Sequence, residues 1–293
     1  MALTFAPLHP VFAAECSGAD IGEPLSAENA AAIQDGMDRY AVLVFRRKRP
    51  LTTAQQLAFT QALGELEPPY TQIRAEEGMR LDSARLSDIS NLGPGDRILP
   101  RDDRKRLFGL GNQLWHSDSS YKKVPARYSA LNAHVIPPAG GDTEFADMRT
   151  AWDMLHPDLK AKVKGLVCEH SRIFSKGALG FRFTESEERD FAPVRQPLVR
   201  VHPKSGRTSL YLSSHAGRIV GWPVPEARGF LRDLIEHATQ REFVYTHKWR
   251  IGDLVMWDNR QTMHRARPFP VDEPRDMRRT TLAGDGPTVA QAA

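Results

Sequence analysis

The chain has 293 residues, enough to bury a substantial core and compatible with one large undivided domain. Hydrophobic residues at 41% and charged residues at 26% exclude wholesale disorder, and no apolar run approaches the length of a membrane span. The net charge of +4 and pI near 9.1 are mildly basic, but the densest run, Arg46-Arg47-Lys48-Arg49, follows an apolar strand with no recognition motif, which favours solvated charge over nucleic-acid binding. Cys16 and Cys168 lie far apart with no metal-type spacing, and the first residues carry no basic leader before an apolar block. Both features predict reduced thiols and a cytoplasmic protein.

In chain order, Ser26 caps a predicted helix that runs to Tyr40 with Ala30, Ile33 and Met37 on one stripe. A buried strand follows at 41–45, and Thr52 or Thr53 caps a second helix carrying Leu57, Phe59 and Leu63. Between 65 and 111 the pattern loosens into Pro, Gly, Asp and Arg, which reads as a lid-like loop. Beyond it the sequence is mostly β, with strands predicted at 128–135, 165–171, 198–201, 209–212, 241–248, 253–257 and 277–282. Helices interrupt at 150–155 and 226–239, and 174–192 reads as a polar insert. Many short strands with helices in front predict a mainly β fold, a sandwich or jelly roll with helical cover, in a single domain spanning 1–293.

The chemistry concentrates in His116-x-Asp118, Thr143, His264, Arg275 and Arg279. A His-x-Asp pair is cheap by itself: His156-Pro157-Asp158 is a second one, and it reads as the first turn of a helix. The first pair is different because it precedes the strand at 128–135, and alternation at i and i+2 puts both side chains on one face of an extended segment. His264 follows the short buried strand 253–257. Two imidazoles and a carboxylate can occupy one face of an Fe(II) octahedron and leave three positions for a bidentate co-substrate and O2.

The members recur at fixed spacing: Thr143 stands 27 residues after His116, Arg275 stands 11 after His264, and Arg279 four further on. With this spacing the chain resembles the taurine and 2,4-dichlorophenoxyacetate dioxygenase family over nearly its whole length, from about 45 to 282. It is most similar to the phenoxyacetate branch, in Asn112-Gln113-Leu114-Trp115-His116-Ser117-Asp118-Ser119-Ser120 and in 140–149, 237–245 and 252–260. The resemblance implies a double-stranded β-helix and an Fe(II)- and 2-oxoglutarate-dependent dioxygenase. It assigns the metal to His116, Asp118 and His264, and 2-oxoglutarate to Arg275 and Thr143, whose fork and hydroxyl suit its distal carboxylate. Arg279 falls to the acidic group of the substrate, and alternation turns Arg278 the other way. Asn112, His202 and His215 are implied around the ring.

Departures from the branch bear on the substrate. Where the branch has a lysine near the substrate carboxylate, this chain has Gln72 or Arg74, and a further histidine is replaced by Arg218. The implied reaction hydroxylates the carbon beside the carboxylate of an aryloxyalkanoate and releases a phenol and glyoxylate, with succinate and CO2. The implied partner is a small anionic aromatic molecule, with no nucleic acid or membrane and with homo-oligomerisation left open. The competing readings are a sulfonate dioxygenase acting on a taurine-like substrate and a non-catalytic jelly-roll binding protein that retains a metal.

Overall fold

The protein is described from a computed structural model, which covers residues 3–68, 80–81 and 83–291. Its strands are β1 (Thr4–Pro7), β2 (Ala14–Ser17), β3 (Val42–Phe45), β4 (Ser87–Ser90), β5 (Tyr128–Val135), β6 (Thr143–Asp147), β7 (Val167–His170) and β8 (Val194–Pro197). They continue with β9 (Val199–Val201), β10 (Thr208–Leu210), β11 (Ala216–Ile219), β12 (Val244–His247), β13 (Leu254–Asp258), β14 (Thr262–Ala266) and β15 (Asp276–Thr281). The helices are α1 (Ala27–Tyr40), α2 (Thr53–Gln61), α3 (Arg104–Gly109), α4 (Met148–Asp153), α5 (Pro157–Val163), α6 (Arg172–Gly177), α7 (Glu185–Asp190) and α8 (Val224–Ala238).

A seven-stranded sheet, ordered β1-β2-β3-β13-β5-β15-β4, faces smaller sheets ordered β12-β6-β14 and β11-β7-β8, with the hairpin β10-β9 beside them. The result is a jelly roll with helical cover. Strand alternation builds its layers. On β3 and β13, Val42, Val44, Val255 and Trp257 point inward and meet Phe145 of β6. Leu43, Phe45, Leu254 and Met256 point outward, where Ile33 and Met37 of α1 and Phe59 of α2 cover them. Because both faces are buried, 42–45 and 254–257 read as continuous apolar runs. Each fully buried large side chain in these layers contributes about 1.5–3 kcal/mol. A third core joins α4 and α8 to β10, β11 and β14 through Trp152, Leu210, Ile219, Leu231 and Met263.

Local signals hold where the chemistry is local. Ser26 accepts from the Asn29 amide as N-cap of α1, and Thr52 forms a full capping box with Gln55 at α2. His156-Pro157-Asp158 opens α5, as its pattern predicts. Ala41 is not in a strand: it sits at φ 59° as the left-handed C-cap of α1, and β3 starts one residue later. The 65–111 stretch is not all loop, since β4 and α3 lie within it. The 174–192 insert is less polar than its sequence suggests: Phe181, Phe183 and Phe191 cluster around Phe108 of α3, and Arg104 donates to both carboxylate oxygens of Glu187 at 2.8 Å. Both cysteines are free and buried. Among the described residues, no helix is long and apolar enough to cross a membrane.

Candidate active site

His116, Asp118 and His264 are buried together, and one ligand atom from each lies within 4.8 Å of the others. Backbone pairing aligns them. The His116 amide donates to the His264 carbonyl at 3.0 Å and the His264 amide to the His116 carbonyl at 2.8 Å, which ties the 115–118 segment to β14. Ser117, between the ligands, donates to the carbonyls of Leu212 and Thr262 at 3.3 and 3.1 Å. His116 Nδ1 lies 2.7 Å from the Leu114 carbonyl, so Nδ1 carries the proton and Nε2 keeps its lone pair. That nitrogen points toward Asp118 Oδ1, 3.9 Å away, and His264 Nε2 lies 3.7 Å from Oδ2. These gaps are too long for hydrogen bonds.

Burial, opposed by Asp118, pulls His116 down to about 4, and burial together with His116 keeps His264 well below its ordinary value. Both rings are therefore neutral at pH 7. Burial favours protonation of Asp118, but the Arg279 guanidinium, helped by the Ser129 hydrogen bond, outweighs it and holds the carboxyl well below the usual range. Three lone-pair donors converging on one point with no hydrogen bond between them fit a divalent ion, and the mixed N and O set suits iron. An outer layer fixes the carboxylate. Ser129 Oγ donates to Asp118 Oδ2 at 2.7 Å and accepts from Asn259 Nδ2, while Asn259 Oδ1 accepts from the Asp118 amide and from Trp257 Nε1, each at 3.0 Å.

A cavity of about 300 Å3 opens beside this cluster, and Asn112, His116, Asp118, His215, Arg275 and Arg279 all line it. Arg279 Nη1 donates to Asp118 Oδ1. Arg275 is 4% exposed and has no acidic partner among the described residues; its Nη2 donates only to the Gly141 carbonyl, at 3.2 Å. Burial pulls its guanidinium down to about 10, with Asp142 opposing, so it stays charged at neutral pH. Gly141 is needed here, because its φ of 73° is left-handed and a Cβ would come within 3.3 Å of Arg275 Nε. Thr143 is buried at the start of β6, opposite the lining residue Ala266. Its hydroxyl accepts from Trp249 Nε1 at 3.0 Å, which leaves its own proton to donate.

Thr143, His264 and His202 do not themselves line this cavity; Thr143 pairs with the lining residue Ala266 and His264 belongs to the ligand cluster, whereas His202 lies elsewhere. It sits in a sealed cluster, where Nδ1 accepts from the Ser205 amide at 3.1 Å and Nε2 faces Asp258 and Asp38 at 3.4 and 3.5 Å. Those charges consume the ring, so His202 is a packing and charge-network residue. His215 is at the cavity, bonded through Nδ1 to Ser175 Oγ at 2.8 Å with its ring edge-on to Tyr121. Gln72 and Arg74 lie outside the described residues. Sequence reading missed Tyr121, Arg172 and Lys176, which also line the cavity, and the supporting pair Ser129 and Asn259. Asn259 could have been flagged as a polar residue in the turn just past an apolar strand; Lys176 stood in the segment that reads as a polar insert.

Residues 4–281 match the family described as taurine catabolism dioxygenase TauD, TfdA family. The chain belongs to this family. It is 44% identical over 286 residues to an alpha-ketoglutarate-dependent 2,4-dichlorophenoxyacetate dioxygenase of Cupriavidus pinatubonensis, covering 97% of this chain and 99% of that one. A (S)-phenoxypropionate/alpha-ketoglutarate-dioxygenase of Sphingobium herbicidovorans is 35% identical over 295 residues, with 97% and 96% covered. Among solved structures, AAD-2 in complex with Mn(II) and N-oxalylglycine superposes with a TM-score of 0.95 at 51% identity, covering 99% of this chain and all of that one. As a member of the TauD/TfdA family, the protein is a 2-oxoglutarate-dependent dioxygenase that uses Fe(II), 2-oxoglutarate and O2.

Proposed function

We propose that this dioxygenase hydroxylates the carbon next to the carboxylate of an aryloxyalkanoate, with His116, Asp118 and His264 holding Fe(II). The observation that carries the reading is the separation of two cations. Arg275 waits without an acid near Thr143, whereas Arg279 reaches the metal-ligand carboxylate from the cavity side. One suits the distal carboxylate of 2-oxoglutarate and the other the acid group of the substrate. When bound, the iron couples oxidative decarboxylation of 2-oxoglutarate to insertion of one oxygen atom into a C–H bond.

The protein's own residues decide which bond that is. Arg279 anchors the substrate carboxylate beside Asp118, so the carbon presented to the metal is the one adjoining that carboxylate. Phe108, Leu110 and Tyr121 offer apolar surface to a ring, with Asn112 and His215 at its border. An aryloxyacetate thereby gains a hydroxyl on the methylene between carboxylate and ether oxygen. The hemiacetal formed collapses to the phenol and glyoxylate. The same reading has 1–293 acting as one domain in the cytoplasm, with described residues of the 65–111 segment and of the 174–192 insert bordering the cavity and a small anionic aromatic molecule as its partner.

The test is incubation with 2,4-dichlorophenoxyacetate, Fe(II), ascorbate and 2-oxoglutarate. Phenol and glyoxylate are expected in equal amounts, coupled to succinate. Arg279→Ala is expected to lose phenol release while retaining slow, uncoupled succinate formation, because the co-substrate clamp is separate. Turnover of taurine with no phenol from any aryloxy acid would establish the sulfonate alternative instead.

A further inference from the structure

Lys176 and Arg275 stand apart from the other buried cations of the described residues, and Arg275 already has a place at the co-substrate end. Arg80 is bonded to Asp88 and Asp276, Arg149 to Asp147 and Arg260 to Asp258. The Lys176 ammonium has neither a hydrogen bond nor an acidic partner among the described residues, although the residue is only 4% exposed. An uncompensated buried charge is costly, so a fold that keeps one gains something by it. The side chain leaves α6 and lies along Gly111, where a Cβ would collide with its Nζ and Cδ. Its Nζ sits 4.7 Å from the centre of the Phe108 ring and lines the same cavity as Asp118 and Arg279. Glycine at 111 and the ring at 108 form a channel that delivers the ammonium to the cavity.

We propose that Lys176 binds the acid group of the substrate together with Arg279 and thereby selects anions for this cavity. The inference rests on the aryloxyalkanoate reading and adds a residue to it. Charge placement separates Lys176 from the co-substrate end. Its charged neighbours are Arg172, Arg279 and Asp118, whereas Arg275 is influenced by Asp142 alone. Arg279 is already engaged with Asp118, so a substrate carboxylate bound there has room for a second donor. Burial first, and then the like charges of Arg172 and Arg279, pull the ammonium down to about 7, a deficit of negative charge that a bound carboxylate would reverse.

The experiment is anaerobic titration calorimetry on enzyme loaded with Fe(II) and 2-oxoglutarate, using 2,4-dichlorophenoxyacetate and its neutral amide, for wild type, Lys176→Met and Lys176→Arg. Lys176→Met is expected to weaken the acid about tenfold to a hundredfold, the worth of one charge-assisted hydrogen bond. The amide and the KM for 2-oxoglutarate are expected to change little, and Lys176→Arg to recover most of the loss. Equal weakening of acid and amide, unchanged affinity for the acid, or a raised KM for 2-oxoglutarate would each overturn the assignment. Failure of the wild type itself to bind any phenoxyacetate would instead remove the reading beneath it.

Discussion

Among the described residues, the buried clusters around His116 and His202 both set histidine beside carboxylate, and only the first has the geometry to hold a metal. Around His116, the Leu114 carbonyl takes the proton of Nδ1, so Nε2 turns a lone pair toward Asp118. Around His202 the tautomer is reversed: the Ser205 amide donates to Nδ1, and Nε2 presents its proton to Asp258 and Asp38. The carboxylates differ as well. Asp258 accepts four hydrogen bonds, from the Arg260 side chain and amide and from Gln261, whereas each Asp118 oxygen accepts one, from Arg279 and from Ser129, and faces an imidazole that does not bond to it. Composition and burial are thus alike in the two clusters. The direction of the ring's lone pair and the number of donors on the carboxylate separate a candidate metal centre from a structural knot.

The sharpest way to break this contrast is to remove one donor from each cluster. Asp118→Ala is expected to abolish succinate formation, a loss on the order of a thousandfold or more, since even outer partners of a metal ligand are worth about 10–100-fold. Iron content should fall with it, and His116→Ala and His264→Ala should behave alike. Full activity in any of them with iron still bound would refute the ligand assignment. A second pair of residues sharpens the comparison, because Arg275 and Arg260 are both buried but only Arg260 has an acid. Arg275→Ala is expected to raise the KM for 2-oxoglutarate by about 2–5 kcal/mol of lost interaction with little change in folding. A collapse of stability with unchanged KM would show that Arg275 is structural.

What the sequence discloses about these regions follows from how local the physics is. Caps at Ser26 and Thr52 and the runs 42–45 and 254–257 are legible because hydrogen bonds within a few residues and continuous burial dictate them. The proposed ligands His116, Asp118 and His264 and the proposed clamp at Thr143 and Arg275 can be picked out only as a set, through spacing that no single element explains. Strand β14 escapes notice although it carries His264: Thr262-Met263-His264-Arg265-Ala266 spends an inward position on a ligand, so its alternation is broken by function. His202 misleads for the opposite reason. Its partners Asp38 and Asp258 lie 164 and 56 residues away, and nothing near it in sequence announces that they will enclose it. Lys176 is hidden in the same way, since only the fold brings Gly111 and Phe108 against it.

The smallest expected effect on catalysis is at His202, and it tests the structural side of the contrast. The residue is 2% exposed, its Nδ1 accepts from the Ser205 amide and its Nε2 faces two acids, so His202→Gln replaces a buried imidazole packed against Asp38 and Asp258. The change should cost about 1–3 kcal/mol of stability, the range for leaving a buried polar group without its partner. Chemical denaturation would read this as a lower midpoint with an unchanged slope. Iron content and the KM values for 2-oxoglutarate and for the phenoxyacetate should match wild type, because the ring does not line the cavity. A raised KM for the phenoxyacetate without loss of stability would move His202 back beside the substrate ring and erase the distinction between the two clusters.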